Sequence, residues 1–189
     1  MNADAVEIRV LGSLIEKQRT TPDVYPLSLN ALRLACNQTS NRDPVVEYDE
    51  PAIRAGLERL SRKGWVRLAS GPGSRAAKYR HLFDEAFDLP DPELALLTTL
   101  MLRGPQTLGE LKQRSERLYR FSSLEDVERT LRSLIDRELV AELPRRRFAH
   151  LLGGEGAQPA EPAPPDLEER VRRLEEQVAE LREALLRER

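Results

Sequence analysis

The 189-residue sequence predicts a mainly helical α+β fold carried twice in one chain, followed by a separate C-terminal helix. Three observations support this. The segment Ile53-x3-Leu57-x2-Leu60-x4-Trp65-Val66 returns 74 positions later as Val127-x3-Leu131-x2-Leu134-x4-Leu139-Val140. Each copy reads as an amphipathic helix, a break and the start of a strand. Each then reaches a second strand through a turn: Gly71-Pro72-Gly73 before Lys78-Tyr79-Arg80-His81 in the first, Arg145-Arg146-Arg147 before Phe148-Ala149-His150 in the second. A helix feeding a basic-tipped hairpin, written twice, predicts two tandem winged-helix domains with small β-wings. The third observation is the abrupt change after residue 152, where the composition becomes that of a linker and then of a coiled coil.

The elements follow in order. Val6, Val10, Leu11, Leu14 and Ile15 recur at helical spacing and predict a first helix over 5–18, ended by Thr20-Thr21-Pro22. Ser28 caps a second helix over 28–36, with Leu29, Leu32 and Cys36 facing inward. Asp49 caps a third over 50–63, with Pro51 in its first turn and Gly64 at its end. The second copy begins with a helix over 92–103 built on Leu94, Leu96, Leu97, Leu100 and Met101, ended by Gly104-Pro105. Thr107 caps a helix over 108–118, and Ser122 or Ser123 one over 124–137. The predicted domains are therefore residues 1–88 and 89–152.

Residues 153–165 hold three Gly and four Pro and read as a linker without a core. Over 166–189, Leu167, Val171, Leu174, Val178, Leu181 and Leu185 form a heptad seam with Val at a and Leu at d. That combination favours a parallel two-stranded coiled coil and hence a homodimer. Three heptads are also short enough for a frayed monomeric helix.

Composition narrows the function. The chain is 33% charged with a net charge of −2. The N-terminus has no secretory pattern and no apolar run reaches the ~20 residues of a membrane span. Cys36 is alone, which excludes an internal disulfide and suits a reducing cytoplasm. Residues 1–152 carry 24 Lys+Arg against 22 Asp+Glu, so any nucleic-acid role depends on where charges sit, not on their sum. His81 and His150 occupy equivalent hairpin ends and lack a metal-ligand pattern, so repetition of one structural strand explains them better than a metal or a catalytic pair. No nucleophile elbow, dinucleotide fingerprint, phosphate loop or paired-carboxylate motif is present. The expectation is a non-enzyme without metal or cofactor.

The third helices differ by face. Opposite Ile53, Leu57 and Leu60 lie Arg54, Ala55, Glu58, Arg59 and Arg62. Arginines there can reach phosphates or the acceptor edge of guanine, and the hairpin that follows adds Arg67, Arg75, Lys78 and Arg80. Opposite Val127, Leu131 and Leu134 lie Glu125, Glu128, Arg129, Arg132 and Asp136, where acidic groups repel a phosphate backbone. Both faces are also compatible with solvated helix surfaces carrying ion pairs such as Arg54–Glu58 and Arg132–Asp136. In the polar run Asn37–Pro44, Asn41 and Arg42 are candidate phosphate contacts, although such side chains equally bind their own loop backbone.

Several stretches carry a resemblance. They are Glu7-Ile8-Arg9-Val10-Leu11-Gly12-x-Leu14-Ile15-Glu16-Lys17-Gln18-x-Thr20-Thr21-Pro22-Asp23-x-Tyr25-Pro26-Leu27-Ser28-Leu29-Asn30-Ala31-Leu32, then Ala35-Cys36-Asn37-Gln38-x-Ser40-Asn41-Arg42-Asp43-Pro44-Val45, Arg103-Gly104-Pro105-Gln106-Thr107-x-Gly109-Glu110-Leu111 and Ala149-His150-Leu151. In this order they resemble the YceH-like family of bacterial proteins. The resemblance implies a tandem winged-helix architecture and supplies no catalytic residue. The short second wing, Pro144-Arg145-Arg146-Arg147, departs from the family pattern. Two functions follow as expectations: a cytoplasmic, transcription-associated protein binding double-stranded DNA through helix 50–63 and its wing, or an adaptor in which the paired domains form a platform for a protein partner.

Overall fold

The computed structural model describes residues 2–70 and 77–153. The Gly71-Pro72-Gly73 turn, Arg75, the linker beyond Gly153 and the heptad residues Leu167, Val171, Leu174, Val178, Leu181 and Leu185 lie outside the described residues. The fold is α+β.

The first copy opens with α1, Ala5–Thr20, started by a capping box in which Asp4 accepts from the Glu7 backbone N–H and Glu7 accepts from that of Asp4. A 3-10 turn, Pro22–Val24, leads to β1, Leu27–Ser28. The Ser28 hydroxyl then caps α2, Leu29–Cys36, by accepting from Ala31 N–H. After a loop comes α3, Glu50–Arg62, capped by Asp49. Strands β2, Val66–Leu68, and β3, Lys78–His81, complete a three-stranded antiparallel sheet of order β1-β3-β2. The second copy repeats the order: α5, Asp91–Arg103; β4, Gln106–Thr107; α6, Leu108–Ser115; α7, Leu124–Asp136; β5, Val140–Leu143; and β6, Arg147–His150. Its sheet has the matching order β4-β6-β5. Between the copies, Phe83–Phe87 forms α4, a short helix that no periodicity announced.

Equivalence extends to single residues. Val66 pairs with His81 and Val140 with His150 at the base of each hairpin. Trp65 N–H donates to Leu60 O at 3.0 Å, and Leu139 N–H to Leu134 O at 2.9 Å. Both residues are buried, as expected of matching positions. The break after each third helix needs a left-handed residue: Gly64 (φ +73°) in one copy and Glu138 (φ 56°) in the other.

Both copies belong to one compact unit. A single hydrophobic cluster runs through them, from Ile8 and Leu14 to Leu97, Leu131 and Leu152. The reason is that α1 packs on α3 and α2 and also on α5. At Gly12 a Cβ would stand 2.9 Å from Leu102 Cδ2, so the missing side chain permits this close approach of α1 to α5. Polar bonds reinforce the seam: Asp43 N–H donates to Leu102 O and Ala3 N–H to Leu152 O, each at 2.9 Å, and Arg19 pairs with Asp91. Among the described residues no helix is long and apolar enough to cross a membrane.

Candidate nucleic-acid interface

The structure rearranges the basic residues that the sequence placed together on α3. Arg54 is half-exposed and pairs with Glu50 at 2.8 Å. Arg59 does not face solvent with it. It turns toward the start of α1, where it meets Asp4 at 2.7 Å and the buried Glu7 at 3.7 Å. Helical-wheel geometry treats α3 as an isolated cylinder, whereas the N-terminus of α1 crosses this side and presents two carboxylates. Only Arg54 and Arg62 of the expected trio remain on the open face, beside Glu50 and Glu58. The ion pairs also run the other way along the helices: Glu50–Arg54 and Glu128–Arg132 at 3.3 Å, not Arg54–Glu58 and Arg132–Asp136. An acid four residues before its base is the better orientation, because each charge then also complements the helix dipole.

The loop contacts expected at Asn41 and Arg42 are committed inward. Arg42 is buried; its Nη2 donates to Glu16 Oε2 at 2.6 Å and to Ala35 O at 2.8 Å. Asn41, in the left-handed region at φ 58°, accepts from Arg103 through Oδ1. Arg42 therefore ties the loop to α1 and cannot reach a duplex from this position.

The hairpin is where basic groups do gather. Arg67 on β2 lies directly opposite Arg80 on β3. Directly paired residues project from the same side of a sheet, and Lys78, two residues before Arg80, shares that side. Val66 and His81 point to the other side and are buried. Arg80 is partly neutralised by Glu85 at 2.5 Å. Arg62, Arg67 and Lys78 have no ion pair among the described residues. In the second hairpin the positions matching Arg67 and Arg80 are the paired Ala141 and Ala149. Its tip is a 3-10 turn at Pro144–Arg146, where Arg146 pairs with Glu128 at 3.2 Å. On α7, Arg129 pairs with Asp126 and Arg132 with Glu128.

The two histidines and the cysteine outside this face are buried. His81 is fully buried, with Nε2 2.5 Å from Gln18 Oε1; burial is the main cause lowering its pKa to about 4, against an opposing pull from Asp84. Burial alone lowers His150 to about 4. Both rings are neutral near pH 7. Burial pushes the Cys36 thiol up to about 11, which removes it as a nucleophile at neutral pH. Among the described residues no three His, Cys, Asp or Glu side chains cluster as metal ligands would.

A family model described as "Protein of unknown function, DUF480" matches residues 3–148. A protein of Opitutus terrae named UPF0502 protein is 48% identical over 188 residues, covering 94% of this chain and 82% of that protein. A UPF0502 protein of Pelobacter propionicus is 50% identical over 201 residues, covering 96% and 91%. One of Dechloromonas aromatica is 49% identical over 200 residues, covering 96% and 93%.

Proposed function

The chain belongs to the DUF480 family, and we propose that it is a cytoplasmic, non-catalytic protein that binds double-stranded DNA in association with transcription. Each copy is a winged-helix unit in this reading, with α3 as the recognition helix of the first and β2–β3 as its wing. The element order and the strand orders β1-β3-β2 and β4-β6-β5 support that assignment.

One observation carries the proposal: Arg67 and Arg80 directly opposed across β2 and β3, with Lys78 on the same side. Like charges in directly paired positions are destabilising. Glu85 answers Arg80, which leaves Arg67 and Lys78 open to an anion, and a phosphate backbone would supply it. The contact face in this reading is the hairpin together with Arg54 and Arg62 of the open face of α3, and Arg59 is left out of it. A homodimer through Leu167–Leu185 would present two such faces to one duplex.

A salt-titrated binding assay with random duplex DNA tests this. Each neutralised phosphate contributes about −0.9 to the slope of log K against log salt, so about three contacts give a slope near −3. Replacing Arg67 and Lys78 by Ala should flatten the slope by roughly 2. No detectable binding at ~50 mM salt, where phosphate contacts are strongest, rejects the proposal.

A second reading is favoured by Glu50 and Glu58 on the open face of α3 and by the ion-paired face of α7. There the two fused copies form a rigid platform for a protein partner. Failure of DNA binding with an intact fold selects this adaptor reading.

A further inference from the structure

At the seam between the copies, α1, the loop after α2, α5 and α6 enclose a small pocket. Its polar lining includes Glu16, Asn41, Thr99, Arg103, Arg114 and Arg117, around an empty volume of about 290 Å³ that includes the mouth. Charge in this pocket is unbalanced. Arg42 takes both oxygens of Glu16, through Nη1 at 3.2 Å and Nη2 at 2.6 Å. Arg114 pairs with Glu110 at 3.1 Å. Those two carboxylates are spent on those two arginines. Arg103 donates to the neutral Oδ1 of Asn41 and has no carboxylate among the described residues. Arg117 sits at the rim, its side chain 60% exposed, 3.8 Å from the Glu16 oxygen that Arg42 already holds. Two guanidinium charges are left over in one partly desolvated pocket.

We propose that this pocket binds a small oxyanion of the phosphate type, held by Arg103 and Arg117 with Arg114 and the Asn41 amide nitrogen as further donors. Planar guanidinium groups match the oxygen spacing of such an anion, and charge-assisted bonds of this kind are the strong ones. The Asn41 Nδ2 has no hydrogen-bond partner among the described residues, so it is open to an acceptor. Burial lowers the Arg103 pKa first, repulsion from Arg114, Arg117 and Arg42 lowers it further, and Glu16 opposes them; a bound anion offsets the repulsion. The enclosed space suits a small ion at most, so a nucleotide base would stay outside. The occupant would touch α1 and the loop of the first copy and α5 and α6 of the second, so it would stiffen the seam. The site lies apart from Arg67 and Lys78 and does not rest on the DNA reading.

Calorimetric titration of the full chain with inorganic phosphate, at constant ionic strength with chloride as the exchanged ion, tests the site. Saturable binding is expected, weakened about tenfold or more in Arg103→Gln and in Arg117→Gln, and unchanged in Arg120→Gln. Arg120 is 87% exposed, pairs with Glu116 and does not line the pocket. Because Arg117 is at the rim, its variant keeps the fold and carries the test if Arg103→Gln does not. A second titration with adenosine monophosphate distinguishes the sources. Equal affinity identifies a terminal phosphate group as what is recognised, and binding of phosphate alone identifies the free ion. Absence of saturable binding to phosphate, or an equal loss in Arg120→Gln, overturns the proposal.

Discussion

The carboxylate of Glu7 accepts from Lys63 Nζ at 2.5 Å, joining the first turn of α1 to the residue that caps α3. The second copy has the same clamp: Glu93 in the first turn of α5 accepts from Arg137, the cap residue of α7, at 2.8 Å. Arg59 at one position and Ser133 at its equivalent add a second contact to each glutamate, 3.7 Å to Glu7 and 2.7 Å to Glu93. Duplication has preserved this relation although the cation changed from Lys to Arg. Both carboxylates are buried while their cations stay about one-third exposed. Each clamp therefore holds a buried carboxylate that also accepts from a neighbour, Asp4 N–H for Glu7 and the Ser133 hydroxyl for Glu93.

Glu93→Gln should destabilise the protein by about 1–2 kcal/mol, since a hydrogen bond to a charged group is lost and the cation keeps access to water. A lower urea midpoint at unchanged slope is the expected result. An unchanged midpoint would mean that the clamp contributes nothing net.

The helix-to-strand break offers a pair of opposite predictions. Gly64 and Glu138 adopt the same left-handed conformation, which costs a residue with a Cβ roughly 1–2 kcal/mol. Nothing lies within 4 Å of a Cβ built at Gly64, so Gly64→Ala meets only the backbone penalty and should lower stability by about 1 kcal/mol. Glu138→Gly should raise it by about 0.5–1 kcal/mol, the greater freedom of the unfolded glycine offsetting part of the gain. Thermal melts moving in opposite directions would bear this out; a destabilised Glu138→Gly would contradict it.

The repeat was legible because it rests on local signals that survive duplication. Leu57, Leu60 and Trp65 recur as Leu131, Leu134 and Leu139, and Asp49, Thr107 and Ser123 announce their helices as capping residues. The two-residue strands β1 and β4 and the short α4 were not legible, since too few residues express a period. The fate of α1 was also hidden. Every residue from Glu7 to Glu16 is buried, including Glu7, Arg9, Ser13 and Glu16. Charges at helical spacing normally mark a solvated face, yet here each meets a partner from elsewhere in the chain: Lys63, the Cys36 carbonyl, Arg42. The same blindness misplaced Arg59 and Arg42, whose acidic partners are 52 or more and 26 positions away. What remained readable of the candidate interface is the hairpin, where pairing register follows from strand alternation.

Arg59 separates stability from binding. If the hairpin is the contact face, Arg59→Ala should leave the salt slope of DNA binding unchanged. It should still destabilise the fold by about 1 kcal/mol through lost contacts to Asp4 and Glu7. Arg67→Ala should do the reverse, flattening the slope by about 0.9 with no loss of stability. The stability change is read from urea midpoints, and the slope from binding between low and moderate salt. A flattened slope in Arg59→Ala would return that residue to the interface.

The two buried histidines set a pH dependence whose sign can be worked out. Both have pKa values lowered to about 4, against ~6.5 in an unfolded chain. Between those values the unfolded state binds more protons than the folded one, so stability rises with pH across this window and falls on acidification. The contribution is complete above about pH 6.5 and is lost as pH falls toward about 4. Each histidine is worth on the order of 3 kcal/mol over the whole range. His150 is the cleaner probe, because burial is the one cause of its shift, whereas Asp84 opposes the shift at His81. Replacing His150 by Phe removes a titrating group at a buried position where the ring Nδ1 has no hydrogen-bond partner among the described residues. The expected outcome is a variant whose urea midpoint falls about half as far as the parent's between pH 7 and pH 5, a window in which most carboxylates stay ionised. If parent and variant lose stability in parallel over that window, the acid sensitivity has another source and His150 is not buried as a neutral ring.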